Sequence, residues 1–225
     1  MGITPAAGYF GPVTKSYIEC DEVEPEEGDE ADEVEGLGSG EASLEDFEMD
    51  EEEDEVAEGD TEVVAVIEFD VEDGDVRIER LDLTFATSAA ADDEEPWDAF
   101  DEIALLVDGD EIASEDVSDE DDWIDEDGPY VFRFSGLDYV VMEGDKAEIE
   151  VAVTAADDVD GAGSDQEWTI YVDGNGSSNG DIRVIDGEGI DSYIGDDDET
   201  VTFDIVEEGE GDELDLETSD DEIDE

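Results

Sequence analysis

Like charge sets the terms on which this chain can fold. Of its 225 residues, 82 are Asp or Glu and six are Lys or Arg, for a formal net charge of −76. Such self-repulsion destabilises any compact state in dilute buffer. Salt shortens the reach of each charge from about 10 Å at 0.1 M to about 3 Å at 1 M. The acidity is not confined to tails. Residues 21–60 hold 22 acids and residues 208–225 hold 11, which leaves 48 acids against five bases in residues 61–207. The whole chain therefore reads as one adapted to fold in molar salt.

Four zones follow from composition. Residues 1–20 are nearly uncharged and carry Ile3, Tyr9, Phe10, Val13, Tyr17 and Ile18 among Gly and Pro breakers. They form an apolar N-terminal arm expected to pack on its own domain or on a neighbouring subunit. Residues 21–60 read as a solvated acidic linker. Leu44 and Phe47 allow one weak helical turn, with Met49 off that face. Residues 61–207 are rich in period-two apolar patterns, and residues 208–225 read as an acidic tail.

Within residues 61–207 the patterns predict about eight or nine strands and no long helix. Val63, Ala65, Ile67, Phe69 and Val71 form one set, and Ala147, Ile149, Val151 and Val153 another. Val76 and Ile78 are out of phase with Leu81, Leu83 and Phe85, so one extra residue near Glu79–Arg80 is expected to bulge that strand. Ile103, Leu105 and Val107 run into Asp108-Gly109-Asp110, the signature of a tight hairpin turn. Pro96, Trp97, Ala99 and Phe100 suggest a short corner or helical turn. Phe85, Trp97, Phe100, Phe134, Trp168 and Phe203 are expected to dominate the core. The fold class is all-β, an antiparallel β-sandwich with an extended N-terminal arm and acidic tails.

Chemistry is sparse. With no histidine there is no Ser-His-Asp or Cys-His site, and the commonest general base is absent. Among 82 acids a carboxylate pair arises by chance, so an enzyme is not expected. No cofactor is required by any motif. The best cation candidate is the loop 173–181, where Asp173, Asn175, Ser177 and Asp181 offer oxygen ligands for Ca2+ or Mg2+. The match to a calcium loop then fails at Ser178 and Val184, so K+ or Na+, or a plain turn-rich loop, are competing readings. Trp123 and Tyr193 are candidate exposed contact aromatics on loops. The bases are too few and too outnumbered for a nucleic-acid footprint. No apolar run reaches the length of a membrane span. The residues after Met1 lack the basic and apolar regions of a secretory signal, so the usual secretion route is not expected. The lone Cys20 excludes an intrachain disulfide framework.

Residues 76–205 resemble the Ig-like or jelly-roll-like β-sandwich domains of archaeal and bacterial surface and virion proteins. The resemblance rests on the opening strand Val76 to Phe85 and on the corner and hairpin from Pro96 to Ile112. With the acidic composition, it implies a structural protein of a virus infecting haloarchaea: a capsid decoration, turret, fibre or tail component on the virion surface. Its implied partners are copies of itself and other structural proteins of the particle, engaged through the arm. Two alternatives stand beside it, a secreted cell-surface or pilus-like filament subunit of an extreme halophile and an adhesion or receptor-binding module.

Overall fold

The computed structural model describes residues 34, 36–38, 40–87, 95–124, 129–159, 162, 166–174 and 181–207. The arm residues Ile3, Tyr9, Phe10, Val13, Tyr17 and Ile18, and the tail 208–225, lie outside them. Twelve strands are present among the described residues. In chain order they are β1 (Ser43–Glu51), β2 (Glu55–Ala57), β3 (Thr61–Glu72), β4 (Val76–Thr87), β5 (Phe100–Val107) and β6 (Asp110–Asp116). Then come β7 (Tyr130–Val141), β8 (Lys146–Ala155), β9 (Glu167–Val172), β10 (Ile182–Asp186), β11 (Asp191–Ile194) and β12 (Asp196–Val206). A four-residue helix α1 (Pro96–Ala99) makes the expected corner before β5.

The strands form the predicted sandwich. One sheet has the order β1-β3-β8-β5-β6, and all its pairings are antiparallel. The other has seven strands and is forked. On one side β4 pairs with β7. On the other it pairs with β10 over Val76–Leu81 and with β9 over Thr84–Thr87. From the fork run β10-β11 and β9-β12-β2, with β2 parallel to β12.

The core lies where the inner faces meet. Ile67, Phe69, Ile149 and Val151 face in from the first sheet; Ile78, Leu81, Leu83, Phe85, Trp168 and Phe203 face in from the second. Phe100, at the corner after α1, is the hub. Its ring lies 5.6 Å from Phe85, 5.0 Å from Trp168 and 6.0 Å from Phe203, in tilted and edge-on contacts. The expected bulge is present: Arg183 lies opposite Arg80 and Val184 opposite Ile78, so Glu79 is the extra residue. The phase change in the sequence thus keeps Ile78 and Leu81 both inside. The predicted hairpin turn is also present. Asp108 (φ 54°) and Gly109 (φ 77°) both take the left-handed conformation that a two-residue turn between twisted strands requires.

Three expectations are corrected. Part of the stretch read as an acidic linker is structural: β1 pairs with β3 and β2 with β12, so the sandwich begins well before residue 60. Two buried aspartates tie this stretch down. Asp75 accepts the N–H of Gly38 (2.8 Å) and of Glu143 (2.9 Å), while Asp186 accepts the N–H groups of Ala42, Glu188 and Ile190. Leu44 and Phe47 belong to a bulged strand rather than a helical turn, and Met49 is buried opposite Ile67. A solvated spacer would need every backbone group to face water, whereas here the ladder and the two aspartates take them up. Among the described residues of 61–207 there are ten strands rather than eight or nine, because a short strand such as β11 carries too little pattern to register. Finally, Trp123 is not an exposed contact residue. It is 3% exposed, its Nε1–H donates to the Val117 carbonyl at 3.0 Å, and its ring packs edge-on against Phe85.

Phe100→Ala is expected to cost about 3–5 kcal/mol, since it removes the ring that three other aromatics share. Denaturant unfolding in molar KCl reads this directly.

Candidate functional site: two unlike faces of the sandwich

The two outward faces differ in how many cations they carry. On the first sheet, register places like charges side by side: Glu48 is directly opposite Glu68, which is directly opposite Glu148. Neighbouring strands are only about 4.8 Å apart, and directly opposed like charges destabilise a sheet. In the adjoining row, Glu45 faces Asp70 and Asp70 faces Lys146. Lys146 reaches Glu68 at 3.0 Å, and that hydrogen bond holds its ammonium above its usual pKa. One lysine cannot neutralise two carboxylate rows. This face becomes tolerable when dissolved cations screen it.

The outer face of the second sheet holds all four arginines of the chain, Arg77, Arg80, Arg133 and Arg183. The bulge at Glu79 is what puts Arg77 and Arg80 on one side; an even strand would point them apart. Asp82 is fully buried between them. It accepts from Arg133 Nε at 2.7 Å and Nη2 at 2.6 Å, a two-pronged pair, and Arg80 Nε lies 3.5 Å away. The hydrogen bond to Asp82 raises the Arg133 pKa further. Arg183 pairs with Glu79 at 2.7 Å, and Arg77 pairs with Glu79 and Asp138. Arg80 also lies over the Tyr193 ring, 5.9 Å from its centre. Toward β9 and β12 the face turns to threonine and tyrosine, and at its far edge the exposed Glu55 and Glu167 both lie opposite Asp204. Thr84 lies opposite Tyr171 and Val131, and the hydroxyls of Thr169 and Thr202 meet at 3.2 Å.

The candidate cation loop spans the fork. Its two ends, Asp173 and Asp181, are brought together closely enough for the charge of one to act on the other. Asn175 and Ser177 lie outside the described residues. The loop start is pinned by a backbone crossing: a Cβ on Gly195 would sit 2.4 Å from the Asp173 carbonyl oxygen, and one on Gly174 would sit 2.4 Å from that of Gly195. Asp181 is fully buried, and among the described residues neither carboxylate oxygen has a hydrogen-bond partner. Burial and the Asp173 charge push its pKa up to about 6 from 3.8, against the pull of Arg80 and Arg133. Asp173 and Asp181 are the residues of the loop that could contribute to holding a cation. Among the described residues no group of three or more His, Cys, Asp or Glu is gathered as a metal centre. Tyr193, expected to be exposed, is 43% exposed on β11. What sequence reasoning missed is the gathering of the arginines, although the phase change in β4 contained the signal.

No protein-family model matches the chain, and no curated protein matches it. Among solved structures, the sporulation control protein Spo0M from Bacillus subtilis aligns with 75% of this chain at 14% identity and a TM-score of 0.28. The chain spans 50% of the length of that neighbour. So distant a likeness carries no argument about role. No helix among the described residues is long and apolar enough to cross a membrane.

Two predictions follow from the charges. Because Asp181 holds its proton more tightly folded than unfolded, stability falls as pH rises from about 4 to about 6 and the deficit then stays constant. Asp181→Asn should flatten that fall and raise stability at pH 8 by on the order of 2 kcal/mol, as thermal melts across pH would read. Glu148→Lys, which sets a cation opposite Glu68, should lower the KCl concentration needed for folding and stabilise by about 0.5 kcal/mol at fixed salt.

Proposed function

We propose that this chain is a structural subunit of a haloarchaeal virion: a capsid decoration, turret, fibre or tail component that works by assembly rather than catalysis. The observation that carries the reading is the opposed row Glu48, Glu68 and Glu148 on an outward sheet face. A face of that kind suits brine, where molar cations screen it, and suits the exterior of a particle. The sandwich supplies the rigid exposed body. The nearly uncharged residues 1–20, with Ile3, Tyr9, Phe10, Val13, Tyr17 and Ile18, supply the segment that docks on a neighbour by apolar burial and strand addition. Its partners are copies of itself and other structural proteins of the particle, and K+, Na+ or a divalent cation associates with its acidic loops.

Density-gradient fractionation of an infected haloarchaeal culture in native brine, with mass spectrometry of each band, tests the proposal. Peptides of this chain at high copy in a DNA-containing particle band are the expected result. Peptides confined to cell envelopes or filaments would overturn it in favour of a surface subunit. Deleting residues 2–20 is expected to abolish incorporation into particles while the sandwich still folds.

A further inference from the structure

We propose that one corner of the arginine-bearing face is the dock for the N-terminal arm, residues 1–20, of a second copy of this chain. The inference rests on the assembly role given to the arm above and names the surface that receives it.

The corner stands out by its apolar exposure. Of the six large hydrophobic side chains most exposed among the described residues, four lie there: Val140 (39%), Met142 (52%), Ile190 (42%) and Tyr193 (43%). Register makes them neighbours. Val140 and the half-buried Ile185 flank Arg77 on either side, directly opposite it on β7 and β10. Tyr193 lies opposite Arg183 and diagonal to Ile185, within reach of it. Ile190 immediately precedes β11, and Met142 immediately follows β7. The result is an apolar patch laced with guanidinium groups and edged by the exposed Asp138 and Asp191, a surface that favours aromatic and aliphatic partners.

Charge selects the occupant. Two chains of net charge −76 repel over nearly all of their surfaces. The edge strands β1 and β6 are themselves acidic, with Glu45, Asp46, Glu48, Asp50 and Glu51 on one and Asp110, Glu111, Glu115 and Asp116 on the other. The corner is the place where the arginines collect. Residues 1–20 contain one base, Lys15, and one acid, Glu19, so they approach without repulsion. They also bring Tyr9, Phe10 and Tyr17, the ring types that guanidinium groups and exposed aliphatics accept.

Position makes the exchange feasible. The first described residue, Val34, donates its N–H to the Gly187 carbonyl in the turn between β10 and β11 (3.3 Å), so the chain from the arm enters the domain beside the patch. The thirteen residues 21–33 between arm and root span at most about 45 Å when extended. Two copies that face each other through this corner therefore each present a patch within reach of the other's arm. That arrangement is a reciprocal, two-fold exchange.

The full-length chain in molar KCl supplies the test. Sedimentation velocity should show a dimer. The double variant Val140→Asp with Tyr193→Asp should weaken it about tenfold or more, while the unfolding midpoint measured at concentrations where both proteins are monomeric stays close to the parent's, since both positions are exposed. Cys20, the sole cysteine, allows a second readout. In Asp191→Cys chains mixed from isotopically heavy and light preparations, oxidation should join Cys20 of one chain to the new cysteine at position 191 of another. Glu111→Cys serves as the distant control. Links within single chains only, or none above that control, would overturn the proposal, as would a monomeric parent protein. A monomer that still enters particles removes the dock and leaves the particle role standing; a dimer absent from particles does the reverse.

Discussion

Repulsion between carboxylates held at strand spacing governs the rest of this structure. A sheet fixes its side chains in rows about 4.8 Å apart, so an acidic strand cannot relax its charges apart as a coil can. The protein meets this constraint differently on its two faces. One face leaves Glu48, Glu68 and Glu148 opposed and depends on the solvent for screening. The other gathers the four arginines in a web with Glu79, Asp82 and Asp138, and keeps its own opposed row, Glu55, Asp204 and Glu167, at the far edge.

The arginine web is geometrically possible because of one inserted residue. Without the bulge at Glu79, an even strand of the same sequence would point Arg77 and Arg80 to opposite faces, and either an arginine or Leu81 would have to change sides. With it, the hydrophobic set remains inside and both guanidinium groups lie outside. Burying Asp82 among them is costly in isolation. Its two-pronged bond to Arg133 offsets that cost, and removing Arg133 alone would leave a buried charge, an error of about 3–5 kcal/mol. Asp181 illustrates the same physics with weaker compensation: Arg80 and Arg133 act on its charge, but among the described residues neither of its oxygens has a hydrogen-bond partner.

Much of this was legible in the sequence where pattern is strong. The bulge in β4, the Asp108-Gly109 turn, the α1 corner and the burial of Phe85, Phe100, Phe134, Trp168 and Phe203 followed from phase, turn chemistry and ring size, whereas Trp97, expected in the core, is only half-buried. Legibility ended where acidity masks pattern. Ser43 to Glu51 has the composition of a solvated spacer, yet Leu44, Phe47 and Met49 suffice to seat it on β3 once a ladder is there to join. Trp123 sits among acids in sequence and among Phe85, Tyr130 and Phe132 in space. Local charge density reports the solvent-facing side of a segment and is silent on the side that packs. For the candidate loop, sequence identified the chemistry of Asp173 and Asp181, and their proximity across the fork emerged only from the strand order.

The aromatic network has a spectroscopic consequence. Trp97 touches Tyr130, Tyr130 touches Trp123, Trp123 touches Phe85, and Phe85 leads through Phe100 to Trp168. All three indoles of the chain therefore belong to one connected array that spans both sheets. Their emission responds to the array as a unit. Diluting the brine would produce a single red shift as water enters, an intrinsic optical gauge of whether the sandwich is assembled, with no label added.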